Sequence, residues 1–93
     1  MSLPVTLHPS RGGDTLEGRL VRFVGEVLEG ELPRAYAPGA PVKMTVALGE
    51  LGESTFTAKT IGSKRLQDGV FHVRLRPVDL RRDVRDGLRA ALP

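Results

Sequence analysis

Cysteine and tryptophan are both absent from the 93 residues. Without cysteine there is no disulfide framework, no thiolate metal site and no cysteine nucleophile, and the chain suits a reducing cytoplasm. No apolar run approaches the ~18 residues that a membrane span needs, so no span is expected. The N-terminus carries neither a basic stretch nor an apolar core of the kind that marks a secretory signal, and a cytoplasmic location is the expectation. Aromatics are few: Phe23, Tyr36, Phe56 and Phe71. Histidines number two, His8 and His72, with no carboxylate at ligand spacing near either, so no metal centre is expected. No catalytic set stands out. Ser10 and Ser54 lack the G-x-S-x-G setting of a nucleophile elbow. Gly12-Gly13 is not followed by Gly-Lys-Ser/Thr, so it is no phosphate-binding loop. The reading is a binding protein that needs no cofactor, not an enzyme.

What is present is a succession of short alternating segments broken by glycine and proline. At this length the chain forms one domain, residues 1–93, burying somewhat over about 60% of its unfolded surface. Leu3, Val5 and Leu7 alternate with Pro4 and Thr6, a first strand that Pro4 assigns to an edge. Residues 9–14 form a loop. Leu16 to Val24 makes a second strand, with Val21 and Phe23 on one face and Arg22 on the other. Val27 to Leu32 is a weaker third, interrupted by Gly30. Pro38-Gly39 fits a type II turn. Val42, Met44, Val46 and Leu48 then give the period-2 pattern of a half-buried antiparallel strand. Thr55 to Ile61 is the fifth strand, residues 62–69 a polar loop, and Val70 to Pro77 the last strand, with Phe71, Val73 and Leu75 inward and His72, Arg74 and Arg76 outward.

The period then changes. Leu80, Val84, Leu88 and Leu92 recur every four residues, one apolar stripe on a helix over about residues 79–92, with Asp79 as its N-cap. Gly87 weakens it by about 1 kcal/mol relative to alanine, so it needs docking. The whole reads as mainly β: a six-stranded antiparallel barrel closed by a C-terminal α-helix.

Net charge is +3 and unevenly spread. Residues 1–58 hold five basic against seven acidic residues, and residues 59–93 nine against four. A basic half can attract nucleic acid, a phosphorylated ligand or an acidic partner, although arginine-rich helix faces are commonly just solvated. Arg81, Arg85 and Arg89 form a ridge beside the apolar stripe, with Asp83 and Asp86 within reach to neutralise it. Lys43, Lys59, Arg74 and Arg76 fall on outward positions and can form a stripe across the sheet, with no aromatic interleaved to stack on bases. Glu26, Glu29 and Glu31 make an acidic run that reads as a solvated hairpin.

The second half of the chain resembles the PilZ domain family. Ala37-Pro38-Gly39-Ala40-Pro41-Val42-Lys43-Met44-Thr45-Val46 is similar to that family's glycine turn and central strand. Thr57-Ala58-Lys59-Thr60-Ile61 is similar to its next strand, Phe71-His72-Val73-Arg74-Leu75-Arg76-Pro77-Val78 to its final strand, and residues 79–92 to its closing helix. The resemblance covers residues 37–92 and implies a six-stranded barrel with a C-terminal helix. It also implies a role in bacterial signalling through cyclic di-GMP, which the family grips with R-x-x-x-R before the barrel and (D/N)-x-S-x-x-G on adjacent strands. Both motifs are missing. Arg11 is the only arginine in its loop, and where the serine motif should fall the chain reads Arg22-Phe23-Val24-Gly25-Glu26-Val27. Family members lacking the motifs act through protein partners, so the resemblance implies a regulatory module with a protein partner, or cyclic di-GMP held weakly in an atypical way. Its expected contact residues are Arg11, Arg19, Arg22 and Arg34. The alternative is a small basic barrel that binds nucleic acid through Lys43, Lys59, Arg74, Arg76 and the helix arginines.

Overall fold

A computed structural model describes residues 2–9 and 12–93. Six strands close into an antiparallel barrel: β1 (Leu3–His8), β2 (Leu16–Val24), β3 (Val27–Leu32), β4 (Pro41–Ala47), β5 (Glu53–Gln67) and β6 (Val70–Pro77), followed by helix α1 (Arg82–Ala91). Their order around the barrel is β1-β2-β3-β6-β5-β4. The alternation that defines β4 and β6 does what a period of two requires: Val42, Met44 and Val46 meet Val73 and Leu75 in one core, together with Leu7, Leu20, Leu28 and Phe56. Val46 and Val73 are both buried.

Antiparallel succession sends the β2–β3 turn, the β4–β5 connection and the chain after β6 to one end of the barrel. Helix α1 plugs that end. Leu88 is fully buried, and Val84 and Leu92 nearly so. Beyond the helix, the Phe23 N–H donates to the Pro93 carbonyl at 3.3 Å. Gly87 is what permits the close approach: a Cβ there would lie 3.1 Å from Leu51 Cδ1 and 3.2 Å from Leu48 Cδ1. The helix therefore accepts a weak helix former in exchange for packing against the 3₁₀ turn Gly49–Leu51.

Several expectations need correction. β1 is no edge strand, because it pairs with β2 on one side and β4 on the other. Pro4 is tolerated because it lies one residue beyond the β4 ladder, which begins at Val5. Gly30 does not interrupt β3; it is buried within it, opposite Leu20 and Val73. A Cβ there would come 3.1 Å from the Arg19 carbonyl oxygen, and one on Gly18 would come 2.7 Å from Leu32 Cδ2. Glycine at these two places lets β2 and β3 approach behind Leu32. In β2 the pairing shifts between Leu20 and Arg22. This bulge turns Leu20 and Phe23 inward while Val21 is only half-buried, so the face shared by Val21 and Phe23 does not exist as expected.

The polar loop expected at residues 62–69 is mostly strand. β5 continues to Gln67, with Ser63 opposite Val73, Lys64 opposite His72 and Arg65 opposite Phe71, and only Asp68-Gly69 turns the chain. Its composition misleads because this end of the hairpin is largely exposed, leaving no apolar alternation to read. Asp79 is not the helix cap. The helix starts at Arg82, with Arg81 in the cap position and no side-chain cap bond. The Asp79 carboxylate instead accepts the Thr57 N–H at 2.7 Å, fixing the exit from β6 to β5.

Candidate functional site

The outer face of β2 and β3 is a registered charge lattice. Arg19 stands opposite Glu31 and Arg22 opposite Glu29, and β6 continues the rows with Arg74 beside Glu29 and His72 beside Glu31. Arg19 Nε donates to Glu31 Oε1 at 2.7 Å, and its Nη2 bonds the same oxygen. His72 Nε2 lies 2.8 Å from Glu29 Oε1 on the diagonal. With Glu29 and Glu31 so engaged, Arg22 stands exposed and makes no ion pair among the described residues.

The turn at the end of this face is held from below. Gly25 takes a positive φ of 61° to reverse the chain. Arg89 Nη2 donates to the Gly25 carbonyl at 2.8 Å, and the Arg89 guanidinium lies 4.6 Å from the centre of the Phe23 ring, a cation–π distance. Arg85 pairs with Glu26, and Arg89 approaches the same carboxylate at 3.7 Å. The expected neutralisation of the helix ridge by its own aspartates holds only at Arg81, which pairs with Asp83. Those hydrogen bonds from Arg81 hold the Asp83 carboxyl below its ordinary value. Arg85 and Arg89 are spent on the β2–β3 turn.

Two grooves open toward the opposite end. One, of about 530 Å³, runs between Arg19, Glu31, Leu66 and Val70. The other, of about 430 Å³, is lined by His8, Gly12, Arg34 and Tyr36. Arg34 lies 5.3 Å from the Tyr36 ring centre. Burial pushes the Tyr36 phenol up, and the charge of Arg34 opposes that. Ser63 locks this loop to β5, accepting the Tyr36 N–H at 3.0 Å and donating to the Tyr36 carbonyl at 2.9 Å. Arg19 and Arg34 thus line separate grooves, and Arg22 faces outward between the acids. Arg11 lies outside the described residues, in the segment joining β1 to β2.

The fold is that of a PilZ domain. The barrel superposes on the PilZ domain with c-di-GMP of YcgR from Escherichia coli with a TM-score of 0.67, covering 98% of this chain and 79% of that one at 17% identity. No family model and no curated protein matches the sequence. Within the PilZ-like barrel, the run expected to replace the serine motif is the end of β2, the turn and the start of β3. Arg22 and Val24 point into solvent there, with Val24 56% exposed.

Sequence reasoning missed the partners of the acidic run. Glu26, Glu29 and Glu31 read as a solvated hairpin, yet all three are paired. Glu29 and His72 are 43 residues apart and Glu26 and Arg85 are 59 apart, so no local spacing signals them. Ser63 carried no motif either.

Among the described residues no group of three or more acidic or histidine side chains is placed to hold a metal ion. No helix among them is long and apolar enough to cross a membrane.

Proposed function

We propose that this chain is a PilZ-like regulatory binding module of bacterial signalling, acting in the cytoplasm through a protein partner, and that cyclic di-GMP binds it weakly or not at all. The observation that carries the reading is the β2–β3 surface. By the resemblance, Arg22, Val24 and Val27, at the end of β2 and the start of β3, take the positions of the acid or amide, the serine and the glycine of the nucleotide-binding motif. Two lost charge-assisted contacts at about 1.5–3 kcal/mol each weaken binding a hundredfold or more. The turn is also gripped by Arg85 and Arg89, which ties those guanidinium groups to the protein itself.

A protein partner fits the same surface better. The six strands close into a barrel, and the contact proposed at the β2–β3 surface is made through side chains. Arg22 and Val24 supply an exposed cation beside an exposed apolar group, and Arg19 on the same strand extends this contact. Binding, and not catalysis, is the role.

Titration calorimetry with cyclic di-GMP in near-physiological salt tests the reading. The expected result is no saturable heat in the micromolar range. Tight, saturable binding defeats it. If such binding is lost in Arg22→Ala and kept in Arg85→Ala, the nucleotide site persists with replaced residues and the atypical-ligand alternative takes its place.

A further inference from the structure

Some of the basic residues meet a carboxylate and others do not. Arg19, Arg65, Arg81, Arg85, Arg89 and His72 each meet a carboxylate. Among the described residues Lys43, Lys59, Lys64, Arg74 and Arg76 meet none, as is true of Arg22, Arg34 and Arg82 elsewhere; all five are exposed, and all five project from the outer face of β4, β5 and β6. Register brings them together. Lys59 stands directly opposite Arg76, Gly62 opposite Arg74, and Lys64 opposite His72. Lys43 faces Thr57, one step along β5 from Lys59. The bulge between Thr60 and Gly62 leaves Gly62 open, with nothing within 4 Å of where a Cβ would be. Beside it lies a groove of about 310 Å³ bounded by Lys64, His72 and Arg74.

Like charges directly opposite across a strand pair destabilise a sheet. The Lys59–Arg76 pair is therefore a cost that the fold alone does not explain. Two more cations, Arg74 and Lys64, lie farther along the same strand pair; Glu29, opposite Arg74 on β3, is engaged by His72, and the Asp79 carboxylate near the lower end is already bonded to the Thr57 N–H. An external polyanion would turn this repulsion into attraction.

We propose that the β4–β5–β6 face is a binding surface for the phosphodiester backbone of duplex nucleic acid, separate from the β2–β3 surface. The composition favours this occupant. Protein interface cores are depleted in lysine and built on aromatic anchors, whereas this face has three lysines and no aromatic. Single strands want stacking platforms, which are equally missing. Lysine and arginine without base-reading neighbours fit phosphates, and predict binding indifferent to sequence.

Fluorescence anisotropy with a labelled DNA duplex of arbitrary sequence tests this. With five phosphate contacts, the log of affinity should fall against the log of salt with a slope of about −4.5, a loss of about 500-fold between about 50 and 200 mM. Lys59→Gln with Arg76→Gln should make the slope shallower by about 1.8, while the melting temperature stays or rises because the repulsion is gone. Lys59→Arg with Arg76→Lys should restore the slope. A salt slope unchanged in the glutamine double variant overturns the proposal. So does duplex binding no tighter than binding to polyglutamate or to anionic vesicles under the same salt.

Discussion

Replacing Thr60 by valine should stabilise the protein. Thr60 is only 3% exposed, and its Oγ1 has no hydrogen-bond partner among the described residues. Its backbone is fully used: the N–H donates to the Ala40 carbonyl at 2.9 Å and the carbonyl accepts the Gly39 N–H at 2.7 Å. The uncompensated group is therefore the hydroxyl alone. Burying it without a partner costs about 1–3 kcal/mol. Valine keeps the branched shape and the strand preference and exchanges the hydroxyl for a methyl. A gain of about 1–2 kcal/mol is expected, each kcal/mol raising the melting temperature by about 4–8 °C in a domain of this size. Urea melts followed by circular dichroism should show a higher midpoint at unchanged slope. The control is Thr45→Val, whose Oγ1 lies 2.7 Å from both His8 Nε2 and Thr55 Oγ1. That variant should lose about 1 kcal/mol. If Thr60→Val is neutral or destabilising, or if Thr45→Val stabilises as much, the unpartnered hydroxyl is not the source and the reasoning fails.

Leu88 is fully buried where the helix plugs the barrel, so Leu88→Ala should cost about 2–5 kcal/mol in a thermal or urea melt; an unchanged melt would mean the helix is not part of the folding unit. Gly18→Ala forces a Cβ to within 2.7 Å of Leu32 Cδ2 and 3.1 Å of the Glu31 carbonyl oxygen, and should cost about 1–3 kcal/mol by overpacking, with the melting temperature as the readout. Asp83 has a depressed carboxyl pKa, owing first to the hydrogen bonds from Arg81. Its stabilisation is thus present above the ordinary carboxylate pKa and lost as pH falls through the lower folded value. The stability difference between the native protein and Asp83→Asn should accordingly exist at neutral pH and vanish in acid, and a difference that persists below that range would contradict the assignment.

The fold was legible wherever burial is one-sided. Val42, Met44 and Val46, then Phe71, Val73 and Leu75, announce strands because one face of each meets the core. Val84 and Leu88 announce the helix by a different period. The far half of β5 was not legible, because Lys64 to Gln67 are exposed on both faces and a strand without a buried side has no alternation. Asp79 was misread for a related reason. An aspartate ahead of an apolar helix satisfies the local rule for a cap, but the Thr57 N–H across the sheet competes for the same carboxylate and holds it. Of the candidate site, the exposed position of Arg22 could be read from its strand. The separation of Arg19 and Arg34 into different grooves could not, since it depends on how the strand ends and loops are arranged around one end of the barrel.

The charge imbalance along the chain also changes meaning once the barrel closes. The acidic excess lies in residues 1–58 and the basic excess in residues 59–93, which as a sequence suggests one acidic and one basic region. The strand order undoes that division by setting β3 beside β6 and the helix against the β2–β3 turn. Glu29 and Glu26 from the first half are then consumed by His72, Arg85 and Arg89 from the second. The cations left over are not those of the helix ridge, the most conspicuous basic feature of the sequence. Apart from Arg22, Arg34 and Arg82 they are, among the described residues, Lys59, Lys64, Arg74 and Arg76 on β5 and β6, joined by Lys43 on β4, because β4 and β5 bring no acid to the middle of that face. A net charge of +3 thus understates the field that a polyanion would meet there, since attraction at close range is set by the local unpaired charge and not by the molecular sum.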